Sequence, residues 1–278
     1  MTNIHKIELE WIYKIQSTLR SQFFDNFFIG WNYVDTFLFL AILFFCTWFF
    51  IDRKIALRLL YIFILSSIFN TFFKELFALE RPCQVNPALG VLHFSSYGFP
   101  SGAAQTAAII SGVIFIESKN RIYQLTGLLF AIFLCFSRVY LGLHYFSDII
   151  GGIIIGNCLV FVYWKFLMWM KIKEKTALFI FPILVFFICP YKLLSQCFFS
   201  FGVVIGFFIG KTKNFEFGKI TKGIEIAIAT FGSLIFLKWN SDCFSIKLIS
   251  TFTGGVWLSY LGPFLVHNFT KFSHNKAN

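Results

Sequence analysis

The chain has 278 residues, of which 58% are hydrophobic and 13% charged, and its formal net charge is +11. Soluble domains carry about a quarter charged residues, so this composition excludes one and predicts an all-α, polytopic transmembrane helix bundle. The basic residues lie between apolar runs rather than along one stripe, so membrane topology explains the charge and no nucleic-acid partner is called for.

Residues 1–30 carry Lys6, Glu8, Glu10, Lys14, Arg20 and Asp25 among Ile, Leu, Trp and Phe, the pattern of an amphipathic helix lying on a membrane surface. This stretch is polar and of mixed charge rather than a basic region followed by a short apolar core, so a cleaved signal peptide is not expected. At about 20 residues per crossing, about nine spans are predicted, near 33–51, 55–74, 100–116, 122–138, 144–165, 177–194, 197–210, 223–238 and 246–266. The pair at 177–210 is broken by Pro182 and Pro190 and reads either as two crossings or as a re-entrant hairpin. The predicted organisation is therefore 1–30 as an interfacial segment, 31–166 as a transmembrane core and 167–278 as additional spans of unknown role.

Orientation follows from the basic residues. With the amino terminus outside, 15 of the 24 Lys and Arg fall in inside loops; of the nine outside, Lys74, Arg81 and Arg138 belong to the cluster described below. The positive-inside rule then puts that cluster on the outer face. Gly152-x-x-x-Gly156 and Gly202-x-x-x-Gly206-x-x-x-Gly210 allow close helix approach, read as packing within one chain. Seven cysteines, odd in number and without C-x-x-C spacing, argue against a disulfide frame or a thiolate metal site. His5, His267 and His274 have no second ligand at metal spacing, so no metal and no cofactor are expected.

Three polar pieces interrupt the apolar pattern. The first is Lys74-x6-Arg81-Pro82: seven residues are nearly two helical turns, so both cations are predicted on one side of a helix that ends at Arg81. Glu75 and Glu80 beside them read as solvated balancing charges. The second is Pro100-Ser101-Gly102, opening an apolar helix whose free N–H groups and dipole suit a phosphate. The third is Ser137-Arg138-x5-His144-x3-Asp148, where His144 and Asp148 stand four apart and share one face if helical. An Asp that accepts from one imidazole nitrogen leaves the other as a lone-pair donor, the state a base or a nucleophile needs. Ionisable groups at membrane depth are costly and are functional suspects by default. A buried Arg138–Asp148 ion pair beside a hydrogen-bonded His is the alternative reading.

Together the three pieces resemble the type 2 phosphatidic acid phosphatase superfamily, integral-membrane lipid phosphatases related to vanadium haloperoxidases, over about residues 33–165. The resemblance implies a metal-independent hydrolase in which His144 attacks phosphorus and becomes a phosphohistidine, oriented by Asp148. It implies that Lys74, Arg81, Ser101, Gly102 and Arg138 bind the phosphoryl oxygens. A bacterial inner membrane, with the site facing the periplasm or exterior, follows from the resemblance and the Phe-, Ile-, Lys- and Asn-rich composition. The family's second motif ends in His, thought to protonate the leaving oxygen, and this chain has Ala103 there. A positioned general acid supplies about 10²–10⁴-fold, so its loss weakens the enzyme. His93 and Tyr97 are the nearest substitute acids, an engineered knock-out is a further explanation, and a substrate with a good leaving group needs no acid. On that last view a lipid diphosphate is preferred, and Ala103→His is expected to raise monoester turnover at least tenfold. The alternatives in other classes are an inactive relative that binds phosphorylated lipids and a lipid transporter.

Overall fold

The computed structural model describes residues 3–211, 219–238 and 244–277. It is 87% helical, with no strand among the described residues, an all-α membrane bundle. Four helical stretches are long and apolar enough to cross a membrane: Arg53–Val85, Arg121–Tyr140, Phe146–Met170 and Phe244–Phe269. Shorter apolar helices cover Leu38–Ile51, Gly102–Glu117, Leu194–Gly210 and Gly223–Phe236. The chain divides into two compact units, Met1–Phe44 with Leu65–Met168, and Phe45–Ile64 with Trp169–Asn278.

In the first unit the amino-terminal segment is two helices, α1 (Asn3–Leu19) and α2 (Gln22–Asn32), because Ser21 takes an extended conformation and caps α2 through Phe24 N–H. The amphipathic segment expected as one helix is thus two. Glu8, Ile12 and Gln16 recur every four residues, so they share one face, and all three are buried. Ile12 packs with Leu89, Ala104, Val139 and Tyr145, and the Gln16 amide donates to the carbonyls of Leu89 (2.8 Å) and Tyr140 (2.7 Å). Exposed Ile7, Trp11 and Tyr13 lie off that stripe. In α2, Asp25 accepts from the Tyr140 hydroxyl at 2.6 Å, and Phe28 packs on the Tyr140 ring.

α3 (Phe37–Cys46) is extended by a π turn, and α4 (Arg53–Phe77) starts at Asp52, whose carboxylate accepts from Lys54 and Ile55 N–H. After the short α5 (Pro82–Val85) come α6 (Gly102–Glu117) and α7 (Arg121–Tyr140), an antiparallel pair turned by Ser118–Asn120. α8 (Phe146–Ile188) lies against α6 through the predicted small-residue seam. A Cβ on Gly156 would stand 2.7 Å from that of Ala108, and one on Gly152 would stand 2.8 Å from that of Ala104.

α8 is 43 residues long, so the segments expected at 144–165 and 177–194 are one continuous helix. The side chains of 171–179 lie outside the described residues. It ends at Ile188, two residues before Pro190, as a residue preceding proline leaves the helical region. A turn over Cys189–Leu193 then leads to α9 (Leu194–Lys211). In the second unit, α10 (Lys219–Lys238) is followed by α11 (Phe244–Val256), which a π turn joins to α12 (Gly262–Ala277).

Candidate functional site

Lys74 sits in the last turn of α4, which stops at Phe77 rather than reaching Arg81. Ala78 takes a left-handed conformation (φ 45°) and turns the chain out of the helix. Arg81 is therefore extended, as the residue before proline prefers, and Pro82 opens α5 at its first position. The expectation of a shared helix face is thus corrected: Lys74 and Arg81 reach the same cavity from two separate elements. The Lys74 ammonium donates to the Tyr97 carbonyl and holds the loop before Pro100.

Arg81 is 6% exposed. Its Nε donates to Ser96 O (2.7 Å), Nη2 to Ser96 Oγ (3.0 Å), and Nη1 to Leu143 O (3.0 Å) and His144 Nε2 (3.0 Å). A guanidinium only donates. His144 Nε2 must therefore carry a lone pair, and the ring proton must be on Nδ1, which lies 3.2 Å from Asp148 Oδ2. The hydrogen-bond network assigns this tautomer. Burial, and then the charges of Arg81, Lys74 and Arg138, hold the imidazole well below its usual range, so it is neutral near pH 7.

His144 precedes α8 rather than lying on it, which corrects the expected helical i,i+4 pairing. Asp148, in the first turn of α8, reaches back to accept from both Tyr145 N–H (3.0 Å) and His144. Its bonds go there and not to Arg138, so the buried ion pair considered above is not made. The turn that presents His144 closes on the Arg138 carbonyl, which accepts from Leu143 and His144 N–H. Gly142 has φ +70° and its Cα faces the Leu89 carbonyl, leaving no room for a side chain. Arg138, in the last turn of α7, donates through Nη1 to Asn32 Oδ1 and through Nη2 to Trp31 O (3.5 Å).

A cavity of about 260 Å³ joins these pieces, lined by Lys74, Arg81, Gly102, Arg138 and His144, together with Asn32, Asn70 and Ser96. Three predicted positions do not line it. Ser101 is fully buried, and its hydroxyl caps α6 by accepting from Ala104 N–H. Asp148 stands behind His144. Ala103 is 1% exposed and packs with Ala107 and Leu134, with Trp31 and Val34 against that apolar cluster. Neither His93 nor Tyr97 lines the cavity; the His93 ring lies against Gly90. Glu75 and Glu80 are exposed.

Sequence reasoning missed Asn32, Asn70 and Ser96. Asn70 stands four residues before Lys74 on α4, a spacing that predicts a shared face. Nothing along the chain marks Asn32 or Ser96, since each depends on a partner more than ten residues away.

Comparison with known proteins agrees with the fold. The PAP2 superfamily matches residues 55–172. Phosphatidylglycerophosphatase B of Bacillus subtilis is 32% identical over 117 residues, 38% of this chain and 55% of that protein. Undecaprenyl-diphosphatase of Sulfolobus acidocaldarius is 30% identical over 112 residues, 40% of this chain and 54% of that protein. The chain thus spans about half the length of these curated relatives. The crystal structure of a transmembrane PAP2-type phosphatidylglycerolphosphate phosphatase from Bacillus subtilis aligns with a TM-score of 0.52 and 27% identity, covering 59% of this chain and 87% of that one. The matched stretch, residues 55–172, contains all three polar pieces.

Proposed function

We propose that the chain is an integral-membrane lipid phosphatase acting through a phosphohistidine at His144, without a metal or cofactor. The observation that carries this reading is the relay Arg81 Nη1, His144 Nε2, His144 Nδ1 and Asp148 Oδ2 at 3.0 and 3.2 Å, opening on a cavity that Lys74, Gly102 and Arg138 also line. A substrate phosphoryl group draws the Arg81 N–H from Nε2 onto one of its own oxygens. The freed lone pair attacks phosphorus, the bond to the leaving oxygen breaks, and Asp148 stabilises the positive charge that grows on the ring. Water then cleaves the P–N bond, releasing phosphate and restoring His144. Lys74, Arg81 and Arg138 neutralise the equatorial oxygens, the main demand of phosphoryl transfer. Ser101 supports the Gly102 amide as cap of α6, and the site faces the periplasm or exterior of a bacterial inner membrane, as the charge count argues.

With alanine at 103, the leaving oxygen departs without a proton donor from that position. An alkoxide has a conjugate-acid pKa of about 16, whereas a phosphate leaving group is near ~6, so a polyprenyl or other lipid diphosphate is the favoured substrate over a lipid monophosphate. A second reading, a silent relative that binds phosphorylated lipids, is favoured by one contact: Arg81 already occupies the His144 lone pair. Phosphate release from purified protein in detergent, with His144→Ala as blank, separates the two. Turnover of a diphosphate lipid well above the blank, and above that of a monoester, supports the phosphatase; substrate bound but not cleaved supports the binder.

A further inference from the structure

The phosphatase reading uses residues 74–148; the search for unassigned chemistry leads instead to α1, which lies outside the matched stretch 55–172. α8 begins at Phe146, so Tyr145 is its cap residue, and a tyrosine has no short oxygen with which to receive the N–H groups of the first turn. Asp148, three residues on, accepts from Tyr145 N–H, the returning half of a capping box. The forward half is missing from the local sequence.

Glu8 of α1 supplies it from 139 residues away. Its Oε1 accepts from Ser147 N–H at 2.7 Å, and its Oε2 accepts from the Ser147 hydroxyl at 3.0 Å, with Glu8 4% exposed. The same helix lays the His5 ring flat on that of Tyr145 (4.3 Å, 6°), and its Gln16 bonds the Tyr140 and Leu89 carbonyls on either side of the His144 turn. Burial, then the charges of Asp148 and Glu8, push the Tyr145 phenol up to about 12, as expected of two carboxylates around one helix start.

We propose that Glu8 is a positioning residue of the reaction: by capping α8 at Ser147 it leaves the Asp148 carboxylate to the Tyr145 and His144 N–H groups, and so aims the imidazole. Without Glu8, the Ser147 N–H and hydroxyl lose their acceptor beside the only carboxylate that orients His144 among the described residues. Asp148 is then pulled towards the helix start and the ring loses its fixed tautomer. Glu8 touches neither the cavity nor the cations that line it, so phosphate binding is spared.

The inference rests on the phosphatase reading, and its test keeps the two apart. The full-length protein in detergent is assayed for kcat and KM on a diphosphate lipid and for the inhibition constant of inorganic phosphate, as wild type, Glu8→Ala and Glu8→Gln. Expected are a kcat at least tenfold lower for Glu8→Ala, an inhibition constant within twofold of wild type, and recovery to within threefold of wild-type kcat for Glu8→Gln, which retains an acceptor for the Ser147 N–H. A Glu8→Ala kcat within twofold of wild type overturns the proposal. So does a parallel loss of kcat and phosphate binding that Glu8→Gln does not rescue, since that marks general structural damage. A wild type that releases no phosphate above the His144→Ala blank instead overturns the phosphatase reading itself, and this inference with it.

Discussion

The two units of the chain differ in how most of their buried polar groups are satisfied. In the second unit four buried hydroxyls turn inward on their own helices, Ser200 donating to Cys197 O, Ser233 to Thr230 O, Thr251 to Leu248 O and Ser259 to Gly255 O, while Ser250 reaches Phe236 O of α10. Such three- and four-residue bonds satisfy a polar atom in lipid and ask nothing of the tertiary structure. Around the cavity of the first unit the bonds instead join distant residues: Glu8 to Ser147, Gln16 to Tyr140, Arg81 to Leu143 and Arg138 to Asn32. An unpaired buried polar group costs about 1–3 kcal/mol, so each long-range bond ties a loop in place. The second unit has further long-range bonds, Trp257 Nε1 to Ile228 O at 3.1 Å and Arg53 with Glu225 at 3.4 Å, the latter with the carboxylate buried and the guanidinium part-exposed. The comparison teaches that local satisfaction marks scaffold, whereas convergent long-range satisfaction marks a place where geometry is being held for chemistry.

Four experiments strain that distinction, starting from the largest expected effect. Arg81→Lys keeps the charge but loses the fork that spans Ser96, Leu143 and His144, so kcat/KM for a diphosphate lipid is expected to fall about 10²–10³-fold, the scale of one lost transition-state donor. Steady-state kinetics check it, and a loss under fivefold breaks the claim that the fork matters. Next is Ala103→His. The sequence alone favours a tenfold gain on monoesters, but the apolar packing around residue 103 reverses the expectation. Overpacking costs about 1–3 kcal/mol, seen as a lower Tm in detergent with no monoester gain; a tenfold gain at unchanged Tm shows that the side chain reaches the cavity after all.

The third is a pH dependence of stability. The folded His144 binds its proton only well below the usual ~6.5, whereas the unfolded imidazole takes one up as pH falls through that value. The contribution is therefore complete above pH ~6.5 and is lost as pH falls towards the folded value, at no more than about 1.4 kcal/mol per pH unit. Melting curves of wild type and His144→Gln between pH 5 and 7.5 should show the wild type losing Tm faster on acidification; parallel curves contradict a buried neutral ring. The smallest effect is expected of Ser259→Ala, whose hydroxyl serves only its own helix. Activity should stay within twofold and stability within about 1 kcal/mol, and a large loss of turnover would give the second unit a part in the reaction.

The membrane class, most apolar segments and the three polar pieces were legible before folding, because hydropathy, proline punctuation and residue chemistry are written locally along the chain. The same locality explains the errors. Lys74 and Arg81 look like one helix face until Ala78 breaks the helix, and His144 and Asp148 look like a helical pair until α8 starts between them. That Glu8, Ile12 and Gln16 of the amino-terminal segment pack on protein was not legible either, since a periodic face does not say what covers it. Folding alone determined that Glu8 and Gln16 brace the His144 turn, that Asn32 and Ser96 hold the arginines, and that residue 103 looks into an apolar cluster. The hydrogen bonds among these join residues 15 to 139 positions apart, and no periodicity or spacing along a chain encodes a partner at that distance.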